Sequence, residues 1–200
     1  GRKTRHHTAR LPGYWNGKAI EWNNFLKFLS LGLSQLALFG FLRKIRLSIF
    51  FSFLLSLITV YNLRVPDLYR FGAPLEAYTA FLFLCSAIGW YFIKPSKWLG
   101  PLCIIAATYL LVCSGHPQMM YYGFLGVVLF VLVSPFFIST MLPEKQVDFK
   151  SIIKGWAIIG MCLFLGIMLS SVYIMPFYFD FLKMNIDRVG QDYAWAVDTF

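Results

Sequence analysis

Six long apolar runs limit this chain's fold more than any other feature. They cover residues 25–42, 47–63, 77–93, 99–113, 119–142 and 152–179. A helix that crosses a hydrocarbon core of about 30 Å needs roughly 20 mostly apolar residues, at about 1.5 Å of rise each. The runs reach or approach that length without period-2 alternation, which argues against a β-barrel. Composition supports the same solvent. Hydrophobic residues make up 58% of the chain and charged residues 14%, against roughly 45–50% and 25% in soluble domains. The surplus apolar surface needs a lipid bilayer as partner. The expected fold class is therefore all-α: a polytopic helical membrane protein with about six transmembrane helices over 22–183. A basic segment, 1–21, precedes the bundle, and 184–200 begins an external loop.

Orientation follows from the distribution of Lys and Arg, which are enriched on the cytoplasmic side of short connections. One alternate set of connections holds Arg43, Lys44, Arg46, Lys94, Lys97, Lys145, Lys150 and Lys154. The other set holds Arg64, Arg70, Lys183 and Arg188. Eight against four predicts that the first set is cytoplasmic. The basic segment 1–21 then falls on the outer side, against the bias: either the first run does not span, or the segment is an external loop of the kind that handles anionic lipid phosphate. The chain starts without Met and stops without a terminal signal, and it reads as a piece of a longer protein. The net charge of +9 sits in short blocks between apolar runs rather than in a groove-lining stripe, so no nucleic acid partner is expected. Cys85, Cys103, Cys113 and Cys162 all lie inside apolar runs, with no CxxC spacing. They read as small hydrophobes.

The stretch "SGHPQ", residues 114–118, separates the fourth and fifth runs. The fourth run has only 15 residues, about 23 Å of helix, so its outer end falls short of the surface. Irregular backbone at membrane depth survives where it is buried in protein or lines a wet cavity. The turn is therefore expected to face a pocket. Gly115 suits the end of one helix, and Pro117 suits the first turn of the next. His116 and Gln118 either cap that turn or bind substrate through it. Arg70 and Arg188, on the outer connections, match phosphate geometry. The outer acids, Asp67, Glu76, Asp187, Asp192 and Asp198, read as solvated loop charges when taken singly. Lys27 reads as a snorkelling side chain, and Gln35 as a partner for another helix. There is no P-loop, HExxH, GxSxG or EF-hand, and no DxD or DD pair. No catalytic residue and no cofactor follow from the residues, and a divalent metal stays open.

Three stretches carry a resemblance. "SGHPQMMYYGFLGVVLFVL" resembles the GHPQ element of YfhO-type bacterial membrane proteins, of the GT-C glycosyltransferase superfamily. "APLEAYTAFLFLCSAIGWYF" resembles the entry of the helix two before it, and "LSSVYIMPFYFDFLKMNIDRVGQDYA" resembles the proline-ended helix followed by an arginine-bearing loop. The resemblance implies a multi-pass enzyme of the bacterial cytoplasmic membrane. It would transfer a sugar from a polyprenyl-phosphate-linked donor to an envelope glycan or glycolipid acceptor on the outer face, with inversion. His116, Gln118, Arg70 and Arg188 would then bind substrate. The superfamily's catalytic acid usually follows its first helix, and residues 1–21 offer only Glu21. Two other classes remain beside the enzyme: a transporter or flippase of lipid-linked saccharides, and a non-catalytic membrane scaffold subunit. A polymerase or ligase would need a larger external loop than lies between these runs.

Overall fold

The structure, a computed structural model, describes residues 17–62, 65, 73–114, 117–144 and 148–185. Among the described residues six helices follow one another: α1 (Gly17–Lys44), α2 (Ile49–Val60), α3 (Ala73–Ile93), α4 (Leu99–Cys113), α5 (Pro117–Met141) and α6 (Phe149–Asn185). No strand occurs among the described residues. Among the described residues four helices contain spans long and apolar enough to cross a membrane: Asn24–Lys44, Pro74–Ile93, Gln118–Met141 and Phe149–Pro176. The chain is a multi-pass helical membrane protein.

Two expected spans are shorter. α4 keeps the 15 residues read from sequence. α2 is a correction in length: it has 12 residues, about 18 Å of helix, against the run of 17 in the sequence. Its carbonyl ends therefore need partners inside the protein. Tyr78 on α3 supplies one, because its hydroxyl donates to the Thr59 carbonyl. Asn62 Nδ2 donates to the same Tyr78 oxygen at 2.9 Å. At its start, Ser48 Oγ accepts from the Phe51 N–H at 3.3 Å, as a helix N-cap does. Ser52, Ser56 and Val60 are its buried residues; their spacing of four makes one narrow stripe that lets α2 lie close on α1.

α3 is the centre of the bundle. In its apolar window 61% of residues are buried, against 22% in each of the other three spans. α1, α4 and α5 pack around it, and α6 lies against α4. Consecutive α4 and α5 approach at Gly123, where a Cβ would sit 3.3 Å from Leu111. They then diverge, and Gly126 of α5 meets Phe81 of α3. The main core joins Ala77, Leu84 and Ile88 of α3 to Ile104 and Leu111 of α4, Val127 of α5 and Ile159 of α6. Packing in lipid relies on close contact rather than on hydrophobic exclusion. Gly166 of α6 shows this most sharply: a Cβ there would lie 2.6 Å from Thr108 Cβ and 2.9 Å from the Ile105 carbonyl.

The α1–α2 turn has a compact chemistry. The Leu47 N–H donates to Leu42 O at 3.3 Å and the Arg46 N–H to Arg43 O at 3.2 Å. With Arg46 at φ 68°, this is the double-bonded left-handed helix stop. Arg46 also pairs with Glu144 beyond α5. Phe41, Ile45, Ile93, Ile138 and Leu142 form a cluster beside it, whereas Leu31, Val60, Val65, Leu75 and Leu82 cluster at the opposite end. The helices thus alternate in direction, and Arg43, Lys44, Arg46, Lys94, Lys97, Lys150 and Lys154 gather at one end. These residues mark the basic end of the bundle, and the opposite one is the far end.

Proline 135 lies inside α5, whose helix nevertheless runs unbroken to Met141. Having no N–H, it leaves the Val131 carbonyl, four residues back, without its helical donor. The Trp156 indole N–H of α6 donates to Val131 O at 2.9 Å. A proline in one helix is thereby matched by a tryptophan in another.

Candidate functional site

A cleft of about 380 Å³ opens at the far end between α1, α3 and α4. On α1, Lys27, Ser30 and Ser34 reach it, at spacings of three and four that share one helix face. On α3, Glu76, Thr79, Ala80 and Phe83 do so by the same rule. Cys113 and Ser114 contribute from the end of α4, where Ser114 stops the helix with φ −59° and ψ −19°. Leu26, Leu33 and Leu110 add apolar wall.

The hydroxyls are oriented by backbone bonds. Ser30 Oγ donates to Lys27 O at 2.8 Å and Thr79 Oγ1 to Glu76 O at 3.0 Å. Ser114 Oγ donates to Leu111 O at 2.8 Å. Ser34 Oγ is within bonding distance of Ser30 O at 2.8 Å and Thr79 O at 3.1 Å, the second bond tying α1 to α3. A hydroxyl has one hydrogen and two lone pairs. With the hydrogen engaged by backbone, each oxygen keeps only acceptor capacity. The cleft therefore offers hydroxyl acceptors, one ammonium and one carboxylate, set against apolar wall. That mixture suits an amphipathic ligand bearing hydroxyls and negative charge.

The sequence-predicted residues are placed unevenly. Ser114, the first residue of "SGHPQ", lines the cleft as the short fourth run led one to expect. Pro117 opens α5. Gln118 follows it with an exposed side chain and is not part of the cleft lining. His116, Arg70 and Arg188 lie outside the described residues. The cleft instead draws on Lys27 and Glu76, which sequence reading treated as a snorkelling lysine and a solvated loop acid. A signal was present in "KFLSLGLS": Lys27, Ser30 and Ser34 recur at helical spacing on a helix that is otherwise apolar. Among the described residues no group of three His, Cys, Asp or Glu side chains could hold a metal ion. All four cysteines are free thiols.

Beyond Phe83, which lines both, a second space of about 480 Å³ continues toward the basic end. No protein-family model, no curated protein and no solved structure matches this chain.

Proposed function

We propose that the chain is the membrane part of a glycosyltransferase that acts on a lipid-linked sugar at the outer face of a bacterial cytoplasmic membrane. The observation that carries this reading is the far-end cleft, which sets Lys27 and Glu76 beside Ser30, Ser34, Thr79 and Ser114 at the edge of an apolar bundle. The far end is the outer end by the Lys/Arg bias. Lys27 suits the phosphate of a polyprenyl-phosphate donor. The hydroxyl oxygens suit its sugar hydroxyls as hydrogen-bond donors, and Phe83 and Leu33 suit the start of its lipid. His116, Arg70 and Arg188, on connections that the Lys/Arg bias assigns to the outer side, are further substrate contacts proposed from the sequence alone, whereas Gln118 stands outside the cleft lining.

In this reading Glu76 takes the proton from the acceptor hydroxyl. The acceptor oxygen then forms a bond to the anomeric carbon as the bond to the lipid phosphate breaks, with inversion. The phosphate leaves with its electron pair, held by Lys27. The acceptor is an envelope glycan or glycolipid. General-base catalysis contributes about 10²–10⁴-fold. In a transfer assay with purified full-length protein and a lipid-linked sugar donor, Glu76→Gln should lower kcat by about that factor with folding intact. Lys27→Met should raise KM. Normal transfer by both variants, or no transfer by the wild type with any lipid-linked donor, contradicts the reading.

A further inference from the structure

The space of about 480 Å³ at the basic end forms a groove over α3, between α1 and α4. Its walls are apolar, with Ala37, Phe83, Ala87 and Leu99. Its mouth is cationic. Lys94 lines it, and Lys44 Nζ stands 5.4 Å from the ring centroid of Trp90, which lines it too. Both lysines are exposed. Among the described residues the ion pair at this end is Arg46 with Glu144, which involves neither lysine, and no carboxylate lines the groove. The first turn of α4, with Gly100 in the lining, adds the partial positive charge of a helix N-terminus. Close packing defines the shape here: a Cβ on Gly100 would lie 2.8 Å from the Tyr91 ring.

We propose that this groove binds one anionic phospholipid from the leaflet at the basic end, with an acyl chain along the apolar walls and its phosphate between Lys44 and Lys94. The charge pattern selects this occupant. A zwitterionic lipid fills the walls but gains little from two cations. A soluble anion meets the lysines and leaves the apolar groove empty. Basic pockets between transmembrane helices on the cytoplasmic side are known to hold anionic head groups. The site does not depend on the transfer reading, because it lies at the other end of the bundle.

The test uses the full chain, reconstituted in vesicles of equal phosphatidylglycerol and phosphatidylcholine, extracted in mild detergent and weighed by native mass spectrometry. The wild type should retain one phosphatidylglycerol in preference to phosphatidylcholine, on the order of thirtyfold, the scale expected of two basic residues near an anionic leaflet. Lys44→Gln with Lys94→Gln should bring the ratio close to one. Lys150→Gln with Lys154→Gln, at the same end but off the groove, should leave it unchanged. Ala37→Leu should narrow the groove and lower retention of both lipids. Equal retention of the two lipids by the wild type overturns the proposal. So does a control pair that loses as much preference as the groove pair, which would mean diffuse surface charge. Unchanged retention in a folded Ala37→Leu protein overturns it as well. Should that variant fail to fold, the comparison of the two lysine pairs decides alone.

Discussion

Replacing Trp156 by Phe tests whether the α5–α6 contact exists to satisfy a proline. In the wild type the Val131 carbonyl has the indole N–H at 2.9 Å and a long contact from Ser134 Oγ at 3.5 Å. Water is scarce at that depth, so Trp156→Phe leaves a carbonyl with little compensation. Interhelical hydrogen bonds in membranes average about 0.6 kcal/mol and reach about 1.7. The geometry here is near ideal and the alternative partner is poor, so the upper part of that range, about 1.5 kcal/mol, applies. In a Pro135→Ala background the position 135 N–H can return to Val131 O. The same Trp156→Phe change should then cost about 1 kcal/mol less. The volume lost from the indole, and the space left by the buried Pro135 ring, appear in both arms of the cycle and cancel. Reversible unfolding in mixed micelles of mild and denaturing detergent measures all four proteins. Equal Trp156→Phe penalties in the two backgrounds, within about 0.3 kcal/mol, refute the pairing of proline and tryptophan.

Two glycines of α6 should respond oppositely. Gly166→Ala must displace Thr108 and the α4 backbone and should cost about 1–3 kcal/mol, whereas Gly160, with nothing within 4 Å of its Cβ position, should accept Ala with no loss of thermal stability. Orientation is checked by cysteines placed in a chain freed of its four native thiols. Lys97→Cys should resist an impermeant reagent applied outside, and Gln118→Cys should react with it; the reverse pattern would invert the topology.

Apolar run length made the helical membrane fold legible, and α4 came out with the residue bounds that the sequence suggested. α2 did not. Its run of 17 residues looked long enough, but the Ser48 cap and the Tyr78 and Asn62 bonds close the helix at Val60, and such cross-helix bonds leave no local pattern. α1 begins at Gly17, within the segment 1–21 read as a basic external loop or N-terminal segment. The proline break at 135 was visible, while its remedy was not, because Trp156 lies 25 residues from the carbonyl it satisfies. The cleft was half legible. The short fourth run pointed to Ser114. Lys27 and Glu76 escaped because each is unremarkable beside its sequence neighbours and gains meaning only when α1 and α3 cross.

Access to the far-end cleft decides whether it holds a lipid-linked sugar on the outer side. Ser30, half-buried in its lining, can be changed to Cys in the thiol-free chain and labelled from outside with an impermeant maleimide. Labelling should come from the outer side, slowed when a polyprenyl-phosphate-linked sugar is added and not slowed by the free polyprenol. Labelling only from the cytoplasmic side, or a rate that the lipid-linked sugar leaves unchanged, would contradict the transfer reading.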